Sequence, residues 1–233
     1  MTTSSLVLTT TKASIWIQLI TGIFGAYGLT LPTPEQPGGA LIKDVLKLEM
    51  LVQAVEFIFY IFLVYLAHIP SMTLLRYGDW FLSTPTMLFT MAAYFLRYTE
   101  SPPENIDQVW KERSREIKLI CLANFGMLAF GLAGELGLIS KAAGFVLGTL
   151  CFLVAFGLLY KEFAETSQAR PLYYIMVSTW SVYGLAYLQS ENLKNILYNG
   201  LDILAKNFFG LYLTYILWKE TQDQQARPKT DVS

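Results

Sequence analysis

Long apolar runs broken by short polar stretches set the first expectation. A helix that spans a bilayer needs about 20 mostly apolar residues. Seven such segments fit this chain, at about residues 13–31, 46–66, 72–96, 117–133, 142–160, 172–188 and 192–218. The proline- and glycine-rich run from Pro32 to Gly39 ends the first, and Gly134-Glu135-Leu136-Gly137 marks a tight turn after the fourth. Polar residues inside the segments recur at helical spacing. The first holds Ser14, Gln18 and Thr21, the second Glu49, Gln53 and Glu56, the third Arg76, Asp79, Ser83 and Thr90, and the seventh Asn195, Asn199, Asp202 and Lys206. Such steps keep each set on one helix face. Lipid cannot satisfy a polar stripe, so each face must point at protein or at a water-filled cavity. The pattern predicts an all-α membrane protein, one seven-helix bundle over residues 1–219, with a disordered tail over residues 220–233.

Composition agrees with the pattern: of 233 residues, 54% are hydrophobic and only 15% charged, and mean hydropathy is +0.41. Those values belong to the membrane class. A net charge of -1 leaves no basic footprint, which excludes nucleic acid as a partner. Cys121 and Cys151 both lie in apolar stretches and read as small core residues rather than a disulfide framework. No pair of His or Cys stands at ligand spacing, so no metal site is expected, and nothing points to an enzyme. The N-terminus lacks the basic start of a cleavable signal peptide, so the first segment is expected to stay in the mature chain. Basic residues orient the bundle by the positive-inside rule. With the N-terminus outside, Lys43, Lys47, Arg97, Lys111, Arg113, Arg115, Lys118, Lys161, Arg170, Lys219, Arg227 and Lys229 fall inside, and only Lys12, Lys141 and Lys194 fall outside.

The strongest chemical signal is Lys206, flanked by Leu204, Ala205, Phe208 and Phe209 with no water to reach toward. An ionisable residue at membrane depth is expensive and marks a functional site with a partner. Asp202, one turn earlier, is that partner. Arg76 and Asp79 add a second pair, and such charges remain ionised in an apolar interior only when close together and hydrogen-bonded. Glu135, at the turn after the fourth segment, reads as a solvated or interfacial residue, and His68 as a surface residue of an outer loop.

Arg76 to Pro85, RYGDWFLSTP, and Asp202 to Lys206, DILAK, resemble the retinal-binding signature of microbial rhodopsins, and the seven-segment topology agrees. The resemblance implies retinal as cofactor, bound to Lys206 as a Schiff base. It implies Asp79 as primary counterion and proton acceptor, Asp202 as second counterion, and Arg76 on their extracellular side. The sixth-segment run TWSVYGLAY is similar to the family's aromatic wall. It makes Trp180, Tyr183 and Tyr187 pocket residues, together with Trp80, Thr84 and Met87.

Two positions depart from the outward proton pumps of that family. Thr90 stands where those pumps carry a proton-returning carboxylate, and Lys194 where they carry a release carboxylate. In their place Ser14, Gln18, Glu49, Glu56, Lys194, Asn195 and Asn199 resemble residues of the viral rhodopsins of large DNA viruses, in the branch of light-gated cation channels. That resemblance implies a cation path along helices one, two, three and seven, with monovalent cations or protons as permeants. Acidic groups there favour cations. An outward proton pump and a sensory rhodopsin stand as alternatives, with a non-photoactive seven-helix receptor or transporter a distant fourth. The chain is expected to be a multi-pass membrane protein, in the host cell's membrane if it is viral, and homo-oligomers are compatible with that reading.

Overall fold

The computed structural model describes residues 3–65 and 69–226. His68 lies outside the described residues, as does the end of the tail. The path is α1 (Thr3–Thr30), α2 (Gly39–Tyr65), α3 (Ile69–Leu96), α4 (Ile106–Glu135), α5 (Lys141–Phe163), α6 (Arg170–Tyr187), α7 (Glu191–Asp202), a π turn at Ile203–Asn207, and α8 (Phe208–Ala226). The π turn joins α7 and α8 into one continuous seventh helix. Successive helices alternate in direction, so the bundle has an N-terminal end, where α1 starts, and an opposite end that carries the turns after α1, α3 and α5.

Among the described residues, four helices are long and apolar enough to cross a membrane by length and composition: Ser4–Thr30, Gly39–Tyr65, Ile106–Glu135 and Lys141–Phe163. The polar residues of the others turn inward, because Arg76, Asp79, Lys194, Asp202 and Lys206 are all buried while Trp16, Ile20, Leu122, Leu150 and Ile175 are exposed. Apolar outside and charged inside is the arrangement lipid demands.

Several elements extend beyond the apolar runs. Helix α1 starts ten residues before its apolar run, and its hydroxyls fold back onto carbonyls four residues earlier: Thr9 Oγ1 donates to the Ser5 carbonyl at 2.9 Å and Thr11 Oγ1 to the Val7 carbonyl at 2.8 Å. Helix α4 starts at Ile106 because the Asn105 side chain accepts the Gln108 N–H at 3.0 Å, a standard N-cap. The tail differs most, since α8 continues to Ala226. Thr221 is buried with its hydroxyl on the Leu217 carbonyl, and Glu220 pairs with Arg97. The predicted tight turn is present: Gly137, at φ 70, takes a conformation that side chains resist.

Between α4 and α5 the backbones nearly touch. A Cβ on Gly144 would lie 2.8 Å from the Phe130 carbonyl oxygen and 2.8 Å from the Tyr187 hydroxyl. Small residues let membrane helices approach in this way, replacing a hydrophobic driving force that lipid does not supply. Gly144→Val is expected to cost about 1–3 kcal/mol through overpacking. Heat denaturation of the purified protein checks this, and an unchanged midpoint would contradict the close packing.

Candidate functional site

The π turn places Lys206 at the centre of the bundle, 2% exposed. Its Nζ donates to Asp79 Oδ2 on α3 at 2.6 Å. Two further carboxylates surround it, Glu56 Oε1 on α2 at 3.8 Å and Asp202 Oδ1 at 3.9 Å. Sequence spacing predicts one acid for this lysine, Asp202, and the family resemblance adds Asp79. The structure brings three, and Glu56 joins the lysine site as well as the polar stripe of α2.

Asp202 is fully buried and held from three sides. Tyr60 donates to its Oδ2 at 2.7 Å, Tyr183 to its Oδ1 at 2.7 Å, and Arg76 Nη1 to Oδ2 at 3.0 Å. Arg76 shares a helix face with Asp79 but pairs with Asp202. The same guanidinium donates to the Tyr60 hydroxyl at 3.0 Å, to Asn195 Oδ1 at 3.1 Å and to Asn199 Oδ1 at 2.5 Å. The seventh-helix stripe therefore converges on one arginine. Charge-assisted bonds of this kind are the strong ones, and the planar fork fixes its acceptors in direction.

From Lys206 a cavity of about 380 Å³ extends between α3, α4, α5 and α6. Trp80, Thr84, Met87, Trp180, Tyr183 and Tyr187, the six residues expected to form its wall, all line it. Trp80 is clamped edge-on by Tyr77 at 5.1 Å, Tyr198 at 4.9 Å and Tyr183 at 5.7 Å. Thr84 is fixed by Asn124, whose Nδ2 donates to its Oγ1 at 2.7 Å. Volume and lining are those of a site for a small apolar ligand with a few fixed polar groups, roughly 300–1,000 Å³ in general.

A polar seam runs beside this centre between α1, α2, α3 and the seventh helix. Ser14 Oγ donates to the Asn199 carbonyl at 3.4 Å, and Asn199 Nδ2 donates to Thr10 Oγ1 at 2.8 Å and Thr11 Oγ1 at 3.0 Å. Asn207 Nδ2 reaches Thr21 Oγ1 at 3.1 Å. Gln18, Gln53 and Glu56 are buried in the seam, and among the described residues their side-chain N and O atoms have no hydrogen-bond partner. Buried polar groups are nearly always hydrogen-bonded, so these amides and carboxyls suit a hydrated route.

Both ends of the seam carry carboxylates whose pairings across helices spacing along one helix does not reveal. Thr90 donates to Glu49 Oε1, and both are fully buried, so Glu49 is not a solvated interfacial residue. A carboxyl absent from α3 at position 90 is thus supplied there from α2. Beyond it the far end of the bundle is closed by the Tyr94 hydroxyl, 2.5 Å from that of Tyr98 and 2.9 Å from that of Tyr212, and by the Arg97–Glu220 pair. At the N-terminal end Lys194 is buried between Glu135 Oε2 at 2.8 Å and Glu191 Oε2 at 2.9 Å. Glu135 is therefore no solvated turn residue: its side chain is 10% exposed and ties α4 to α7.

Tyr60, Tyr198, Asn124, Glu135 and Glu191 are the site residues that sequence reasoning passed over. Tyr60 had a signal, since it continues the Glu49, Gln53, Glu56 stripe by four. The two cysteines are half-buried, and no group of three metal-ligating side chains occurs among the described residues.

Comparison with known proteins places this geometry. A family model described as bacteriorhodopsin-like protein matches residues 9–220. A green-light absorbing proteorhodopsin from the gamma-proteobacterium EBAC31A08 is 24% identical over 205 residues, 78% of this chain and 76% of the relative. The crystal structure of viral rhodopsin OLPVRII superposes with a TM-score of 0.80 at 25% identity, covering 92% of this chain and 98% of that one. Xanthorhodopsin, described as a light-driven ion pump with dual chromophore, superposes with a TM-score of 0.71 at 14% identity, covering 97% of both chains.

Proposed function

The chain belongs to the bacteriorhodopsin-like family, integral membrane proteins that hold retinal as a Schiff base on a lysine, and we propose that it is a light-gated cation channel. It is a retinal photoreceptor and not an enzyme. The residues fit the cofactor: the cavity offers an aromatic slot ending at Lys206, and Asp79 meets the nitrogen that must stay cationic. Bound there, retinal supplies a light-driven change of shape beside a protonated imine nitrogen.

The chain's own residues do the rest. Asp79 accepts at the Lys206 nitrogen and is the group best placed to take its proton. Tyr60, Tyr183 and Arg76 hold Asp202 in one orientation, so Asp202 acts as a fixed second counterion. Trp80 and Trp180 exclude water from the slot. Glu56 belongs both to this centre and to the seam, so a shift of charge at Lys206 acts directly on the seam.

The observation that carries the channel reading is the seam itself, with Ser14, Gln18, Glu49, Glu56, Asn195 and Asn199 buried side by side on α1, α2 and the seventh helix. Lys194 and its two glutamates close the N-terminal end, and the Tyr94 cluster with Arg97–Glu220 closes the other. The basic-residue bias puts the N-terminus outside, with monovalent cations or protons as permeants. If the chain is viral, the membrane is its host's.

Voltage clamp under light tests this. The photocurrent is expected to reverse sign with membrane potential, and Glu56→Gln to cut it by about tenfold, the effect of roughly 1.4 kcal/mol on the permeation barrier. Current of one sign at every voltage would reject the channel. It would favour an outward proton pump, a reading supported by Glu49 beside Thr90, where a carboxyl can return a proton. In that case Glu49→Gln slows recovery after a flash. No current at all would favour a sensory rhodopsin.

A further inference from the structure

Among the described residues that line the cavity ending at Lys206, exposure is confined to one side. Its wall residues on α3, α4 and the seventh helix are buried or half-buried. The exposed ones all belong to α5 and α6: Leu153 at 58%, Leu185 at 58%, and Ser181. Between them stands Gly184, where an added Cβ would meet only the edge of the Phe145 ring at 3.6 Å. The α4–α5 seam is shut by the Gly144 contact with the Phe130 carbonyl oxygen, and the polar seam lies on the other side of Lys206.

Resting on the retinal assignment above, we infer that the gap between α5 and α6, rimmed by Leu153, Ser181, Gly184 and Leu185, is the portal through which retinal enters the cavity from the bilayer. The occupant's chemistry selects this side. An apolar polyene partitions into the hydrocarbon layer, and the rim opens onto lipid through leucines. The alternative approach crosses buried Gln53, Glu56 and Asp202, whose polar groups an apolar chain would leave without water or partner. From the rim the slot runs past Trp180 and Tyr183 to Lys206, so the aldehyde end enters first.

Loading rates test the portal. Retinal-free protein in phosphatidylcholine vesicles is mixed with vesicles carrying all-trans retinal. Two signals are followed, the rise of the visible band and the quenching of tryptophan emission from the cavity. Gly184→Phe fills the gap against Phe145, and Leu153→Trp with Leu185→Trp narrows the rim at its two exposed leucines. Leu150→Trp, exposed on α5 but away from the cavity, serves as control. Both rim variants are expected to load about tenfold more slowly, the effect of a modestly raised entry barrier, with the visible band and the tryptophan quenching slowed alike. The control is expected to load at the original rate. Should Gly184→Phe fail to fold, the tryptophan pair carries the test. Normal pigment with unchanged loading in the rim variants overturns the portal alone. No pigment in the unaltered chain overturns the retinal assignment and the portal with it.

Discussion

Lys206→Ala is expected to abolish the pigment: purified protein supplied with retinal shows no visible absorbance band, whereas Lys194→Ala keeps one. The contrast matters because both lysines are buried among the described residues. Lys194 is held at the N-terminal end by Glu135 at 2.8 Å and Glu191 at 2.9 Å, and it does not line the cavity. Lys206 lines the cavity, with Asp79 at 2.6 Å. An imine cation needs a carboxylate beside it in a low-dielectric interior, and only Lys206 has both slot and counterion. Absorption spectroscopy decides it, and a visible band surviving in Lys206→Ala would contradict the assignment.

Arg76→Gln is expected to be the most destabilising single change at the site, costing about 3–5 kcal/mol. Asp202 is 0% exposed and would lose the cation that balances it. Asn195 and Asn199 would lose the donors that hold them to α3. For a chain of this size the thermal midpoint should fall by roughly 10 °C. Arg76→Lys should recover part of that loss, since an ammonium restores the charge but not a fork spanning Tyr60, Asp202, Asn195 and Asn199. Scanning calorimetry or heat bleaching reads the effect. A midpoint unchanged in Arg76→Gln would show that the network does not hold the seventh helix to α3.

Charges at membrane depth made the centre legible from the chain alone. Lys206, Asp79, Asp202 and Arg76 have nowhere to go but inward, and helical spacing assigns each a face. The cavity wall around Trp80, Trp180 and Tyr183 followed from motif resemblance, because an aromatic lining a slot and one filling a core look alike in sequence. Pairings between helices were not legible. Glu135 sits beside a turn and reads as solvated or interfacial, yet its partner Lys194 lies 59 positions away and one helix period says nothing of it. Arg76 shares a face with Asp79, but the cross-helix geometry gives it to Asp202. Glu56 fitted a path-lining stripe, and only the packing of α2 on the π turn sets it near Lys206. The helical start of α1 was hidden because a run of serines and threonines favours turns and caps over helix interiors and so reads as loop. The extension of α8 to Ala226 was hidden because its anchor is Glu220 reaching Arg97 on another helix.

Chemical capture of the chromophore bears on the central claim most directly. Illuminating the retinal-loaded protein with borohydride reduces the imine to a stable secondary amine, and peptide mapping then locates the adduct. The account predicts a single retinyl group on the peptide that carries Lys206. An adduct on Lys194 or elsewhere, or no adduct at all, would contradict it.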